Sequence, residues 1–254
     1  MTLEAAWMQG GARIPAGREE DGRHGVPGLF QDFFKFFRDL AKNNDREWFE
    51  ANKARYREIV QAPMSDFIAA LAPKLQKISP HFRADPRPNG GSMFRIHRDV
   101  RFSKDKSPYK THASAHFRHE RAKDAHAPGY YLHLAPKEVL FGGGVWMPDP
   151  PALAKIRSAI AEESKAWAKA KSAKSVLSTF GGLSDHGDSL SRPPKGFAPD
   201  HPMIEDLKRK SFFVMHDSSE TDAASPKFVD AVAAAYKDAA PVMRFLCEAV
   251  DAEF

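Results

Sequence analysis

The sequence predicts an α+β fold: N-terminal helices packed on an antiparallel β-meander, followed by C-terminal helices. Three observations predict it. Apolar residues recur at helical spacing from Phe30 to Ile78, and the period drops to two at Phe94. Strand-like character then persists to Trp146, and helical spacing returns beyond Pro151.

In order along the chain, Phe30, Phe33, Phe34, Phe37, Leu40 and Ala41 form the stripe of a first amphipathic helix, broken by Asn43 and Asn44. Asn44 with Glu47 resembles a capping box opening a second helix, striped by Phe49, Asn52, Tyr56, Ile59 and Val60. Asn52 is polar within that face. A buried amide needs a partner, so Asn52 is expected to position a neighbouring loop. Pro63 suits the first turn of a third helix, striped by Met64, Phe67, Ile68, Leu71, Leu75 and Ile78. Residues 80–91 read as loop.

Phe94, Ile96, Arg98, Val100 and Phe102 alternate with Arg95, His97, Asp99 and Arg101, which predicts a strand, and Lys104 to Pro108 a turn. Ala113 to Phe117 is read as a strand, and Tyr130–Leu134 with Val139–Trp146 as a hairpin. Gly142–Gly144 inside its second arm marks a bulge or a close approach by other backbone or a ligand. A helix from Leu153 to Ala170 is expected, then a Ser/Gly-rich loop to Pro199, a short helix near Ile204–Lys208 and an apolar strand, Phe212–Met215. Ser225 and Pro226 open a final helix that Pro241 should kink or break.

The first 27 residues, rich in glycine and charge, read as a disordered tail or an over-called start, and 28–254 as one domain. With 19 Phe and 42% hydrophobic residues the chain can build a core. The single cysteine, Cys247, excludes an intramolecular disulfide and any Cys-rich metal site, and fits a reducing compartment. It lies in an apolar stripe and reads as core. No stretch reaches the roughly 18 apolar residues of a membrane span, and no signal peptide is recognisable. A cytoplasmic protein with no membrane association is expected.

Positive charge is concentrated locally. Arg95 to Lys123 holds nine Lys/Arg against three acids, a net of +6, while the other 29 Lys/Arg and 30 acids sum to −1. A localised patch attracts phosphate, carboxylate or nucleic acid. Arg95, Arg98, Arg101, Lys104, Lys106 and Lys110 are the candidate ligand-binding residues: arginine offers forked donors, lysine point charges. On the strand reading Arg98 shares the apolar face and must pair; Asp99, Asp105, Glu47 and Glu50 are the available acids. An internal ion-pair network is the competing account of the block. Asp99 and Tyr109 are the candidate proton carriers, although an Asp between arginines is usually a poor base and Tyr109 equally suits packing against a sheet.

A family resemblance rests on long motifs. Asn43 to Phe49 with Asn52–Lys53 resembles the NN-x-REWF-x-x-NK opening of an uncharacterised family, domain of unknown function 2461. Phe94 to Lys110, FRIHRDVRFSKDKSPYK, is similar to its most distinctive block. Gly129–Tyr131, Gly142–Gly144, Pro194–Phe197 and Lys208–Phe212 fit as well, so the resemblance spans about Leu29 to Met215. It implies no activity and no catalytic residue. His97 departs from the Tyr more usual there, which argues against a catalytic part for His97.

Other motifs carry less. His112, His116 and His119 have helical spacing, but no HExxH or matched acid accompanies them, so they read as surface residues and no metal is assigned. No Walker loop, GxGxxG or G-x-S-x-G is present, and no cofactor is assigned. Three readings stay open: a phosphorylated or other anionic ligand bound at the basic block, as binder or enzyme; nucleic acid; or an acidic protein partner. A narrow pocket would favour the first, a broad cationic surface with exposed aromatics the second.

Overall fold

The computed structural model describes residues 32–121, 127–185 and 187–254, so the expected tail over 1–27 lies outside the described residues. Helix α1 is Phe33–Lys42; it buries Phe33, Phe34, Phe37 and Leu40 of the expected stripe and also Phe36, while Ala41 is exposed and Phe30 lies outside the described residues. Helix α2 is Arg46–Ala51, and its N-cap is Asp45, whose side chain accepts from the Trp48 N–H at 2.9 Å. The expected cap, Asn44, is used elsewhere. Helix α3, Lys53–Tyr56, passes through a π-helical turn, Arg57–Gln61, into α4, Ala62–Ile78. Pro63 lies in the first turn of α4, as expected, although the preceding helical turns run into α4 without a loop between them. The wide turn lies where the proline ring would otherwise press on the Ile59 carbonyl, and the chain continues through it.

Four antiparallel strands follow one another in space as in sequence: β1 Ala113–Arg118, β2 Gly129–Ala135, β3 Glu138–Val145, β4 Phe212–Ser218. Between β3 and β4 lie α5 Pro150–Glu162, α6 Ser164–Lys171, α7 Lys174–Phe180 and α8 Ile204–Leu207. The single helix expected over Leu153–Ala170 is two, divided at Glu163, and α7 occupies part of the expected loop. Val176 and Phe180, four residues apart, give α7 a short buried stripe, and Gly181 closes it in the left-handed region. After β4 come α9 Glu220–Ala223, α10 Phe228–Asp238 and α11 Ala240–Ala249. Lys227, not Ser225, holds the α10 N-cap position, while Pro241 divides α10 from α11 as expected. No described helix is long and apolar enough to cross a membrane.

The sheet is buried on both faces. Tyr130, Leu132, Leu134, Phe141, Val145, Phe212 and Val214 join the helices in the main core; Tyr131, Leu140, Trp146 and Phe213 form a second cluster with Phe94, Met147 and Met215. Helix α10 contacts both β3 and α4, and α1 contacts β2, so N- and C-terminal helices share one core with the sheet. Gly142–Gly144 lies in an unbroken ladder rather than a bulge. A Cβ on Gly142 would stand 1.9 Å from the Val214 carbonyl oxygen, and one on Gly144 2.3 Å from that of Phe212. The close approach is by the neighbouring strand.

The predicted strand Phe94–Phe102 is the main correction to the expected fold. Only its first half is paired. Phe94 N–H donates to the Ser114 carbonyl (2.9 Å) against β1, and His97 bridges to Tyr109. Lys110 N–H donates to Ile96 O (2.8 Å) and Arg98 N–H to Pro108 O (2.9 Å). The return bond to Arg98 O needs an N–H that Pro108 lacks, so the ladder stops and 99–107 is loop.

Candidate functional site

The basic block is thus a short hairpin with an open tip, projecting from the edge of β1. Its foot is fixed from the helical layer. Asn44 Nδ2 donates to the Tyr109 carbonyl (2.9 Å), and Tyr109 N–H donates to Asn44 Oδ1 (3.1 Å). The Tyr109 ring stacks on Phe49, centroids 4.0 Å apart and planes 23° off parallel. At 4% exposure it is a packing residue, and burial holds its phenol above the ordinary range. Asn52, expected to position this loop, instead donates to Trp48 O one turn back at 2.9 Å. Asn44 does that work, a role hidden because its spacing to Glu47 imitates a capping box.

Inside the tip the charges pair locally. Arg98 binds Asp105, and also reaches Ser107 O at 3.2 Å and Ser103 Oγ at 3.4 Å. Arg101 holds both oxygens of Asp99, Nη2 to Oδ2 at 2.7 Å. The Arg101 hydrogen bond is the main cause holding Asp99 near a pKa of about 2. Bonds from the Ser107 hydroxyl and N–H, then Arg98, hold Asp105 at about 2. Lys106 Nζ donates to the Val100 carbonyl at 2.9 Å, spanning the loop. Lys110 lies 5.4 Å from the Phe94 ring centroid. Arg95 and Lys104 are exposed. The six candidate cations therefore share one element, with Arg98 and Arg101 paired to acids of the same loop, Arg98 partly buried and Arg101 exposed. Asp99, fixed as a carboxylate, and Tyr109, stacked in the core, do not converge on an open pocket.

Phe102 departs furthest from its sequence pattern. Assigned to the face of Ile96, it is 93% exposed at the tip, with the Arg101 guanidinium 5.8 Å from its centroid. Once the ladder ends, alternation no longer fixes which side of the chain is covered.

The histidines also differ from expectation. His112, His116 and His119 are buried, at 9%, 4% and 3% exposure. His112 lies beside His133, centroids 4.4 Å apart; His133 Nδ1 is 3.2 Å from the Tyr131 hydroxyl, and its Nε2 3.9 Å from Glu138. Burial raises the Glu138 pKa. His119 Nε2 meets the Glu253 carbonyl at 2.8 Å. Covering both sheet faces buries side chains that a one-sided sheet would expose. Tyr131 and His133 share a face of β2 because they are two residues apart, but nothing in that spacing foretells their burial. Among the described residues no group of three or more His, Cys, Asp or Glu is placed to hold a metal ion.

A cavity of about 410 Å³ lies between α5 and the end of α11. It is lined by Glu162, Glu163, Glu248 and Asp251, with Lys155 bound to Asp251 at 2.5 Å. Its carboxylates would repel an anion.

A model of the family described as conserved hypothetical protein (DUF2461) matches residues 32–245. No curated protein and no solved structure matches the chain. The chain belongs to the DUF2461 family.

Proposed function

We propose that this member of the DUF2461 family binds a phosphate-bearing or other anionic ligand at the 95–110 hairpin. Arg95, Lys104, Lys106 and Lys110 are the cations that meet the ligand; Arg98 and Arg101 shape the loop that carries them. One observation supports this reading above the rest. Residues 94–110 hold six Lys/Arg and two acids, and both acids are occupied by arginines within the loop, which leaves a net charge of +4 on one projecting element. Such a concentration is self-repelling until an anion offsets it. The state of Asp99 and the packing of Tyr109 favour a binding site over proton transfer.

A thermal-shift titration with inorganic phosphate and tripolyphosphate tests the proposal. An anion held by the native state should raise the melting temperature by several degrees at about 100 times its Kd. The triple variant Arg95→Gln, Lys104→Gln, Lys106→Gln should lose most of that rise. A variant stabilised as much as wild type would place the ligand elsewhere and overturn the reading.

A further inference from the structure

We propose that the ligand class of this cationic hairpin is single-stranded nucleic acid, with Phe102 as the surface on which a base stacks; the inference rests on the anion-binding reading above. A single exposed apolar side chain is ordinary on a protein surface. What distinguishes Phe102 is its mounting and its neighbours. Among the described residues the other exposed large hydrophobic is Leu177, at 48% against 93% for Phe102. The Phe102 ring stands on a loop braced by Arg98–Asp105, Arg101–Asp99 and Lys106 to the Val100 carbonyl. Little further ordering is needed to present it. Arg101 lies over the ring, making a joint aromatic and guanidinium platform, and Lys104 follows two residues later.

A flat ring flanked by cations matches a chain that alternates flat bases with phosphates. In a duplex the bases are already stacked on one another, so the ring would have to unstack a step before it could engage. An anionic bilayer would draw the same cations, but firm interfacial attachment needs more apolar area than one ring supplies. Val100, the nearest apolar residue in sequence, is half-buried and adds little to it.

Fluorescence anisotropy on the full chain tests this, using labelled oligothymidine and oligouridine of about 12 nucleotides, a length within the usual span of such sites. Tripolyphosphate stabilisation and flotation with phosphatidylserine vesicles are measured in parallel. Phe102→Ala should weaken oligonucleotide binding by roughly 5- to 100-fold, the range a lost stacking ring brings, and leave the tripolyphosphate shift unchanged. Phe102→Trp should retain the affinity and show oligonucleotide-dependent quenching beyond that of wild type. If Phe102→Ala binds the oligonucleotide as wild type does while Lys104→Gln/Lys106→Gln weakens it, the cationic site stands and the stacking proposal falls. If neither oligonucleotide nor tripolyphosphate binds, the anion-binding reading itself is overturned. Phe102-dependent binding to vesicles without binding to oligonucleotides would assign the tip to lipid and refute the proposal.

Discussion

Asn44 and Tyr109, 65 residues apart in sequence, are joined by a pair of hydrogen bonds in which the Asn44 side-chain amide takes the place of a β-partner for the Tyr109 backbone. The hairpin foot is thereby tied to the start of α2. Asn44→Ala leaves the Tyr109 N–H and carbonyl without these partners in a half-buried setting, at an expected cost of about 1–3 kcal/mol. Asn52→Ala breaks one local bond and should cost about 1 kcal/mol or less. Urea denaturation of both variants, with hydrogen exchange at Arg98 and Lys110, checks the contrast; equal costs and unchanged exchange would show that Asn44 does not hold the hairpin.

Acid should loosen the tip only at low pH. Asp99 and Asp105 are both held near a pKa of about 2, below the usual carboxylate range. For a depressed carboxylate the stabilisation is complete above the unfolded pKa of roughly 4 and is lost as pH falls through the folded value. Amide exchange over 98–107, corrected for intrinsic rates, should be flat from pH 8 to about 4 and lose protection toward pH 2. Loss of protection between pH 7 and 5 would contradict the pairing.

Gly142 should tolerate no side chain. A Cβ there would lie 1.9 Å from the Val214 oxygen, and relief would require β3 and β4 to separate. Gly142→Ala is expected to cost about 3 kcal/mol or more and to reduce soluble yield. Gly90→Ala meets open space, and its φ of +75° should cost only about 1–2 kcal/mol. Comparable losses in the two variants would argue against the tight β3–β4 approach.

The thiol of Cys247 should be inert in the native state. It is fully buried in α11, and burial pushes its pKa up to about 12. Thiolate is the reactive form, so labelling by a thiol reagent at pH 8 should proceed only through unfolding and accelerate with urea in step with it. Rapid labelling of the folded protein would show that α11 opens locally.

The elements read correctly from the sequence are those whose cause is local. Most of the α1 stripe, the β2–β3 hairpin and the break at Pro241 each follow from periodicity or from backbone chemistry carried by a few adjacent residues, whereas the choice at Gly142–Gly144 between a bulge and a close approach was made by β4. The cations at Arg95, Arg98, Arg101, Lys104, Lys106 and Lys110 were legible as a cluster because charge is additive along a short segment. Which of them pair with which acid was not, although Asp105 stood among the acids open to Arg98. Only the tertiary structure decided the rest. Alternation from Phe94 to Phe102 describes a strand only while a partner accepts its hydrogen bonds, and Pro108 withdraws that partner halfway, leaving Phe102 in solvent. His116 is buried because both sheet faces are covered, His112 and His119 because His133, Phe82 and Glu253 lie against them, and Asn44 rather than Asn52 holds the hairpin because Tyr109 arrives beside it. Burial and hydrogen-bond partnership are properties of what lies opposite a residue, and what lies opposite is set by chain segments far away in sequence.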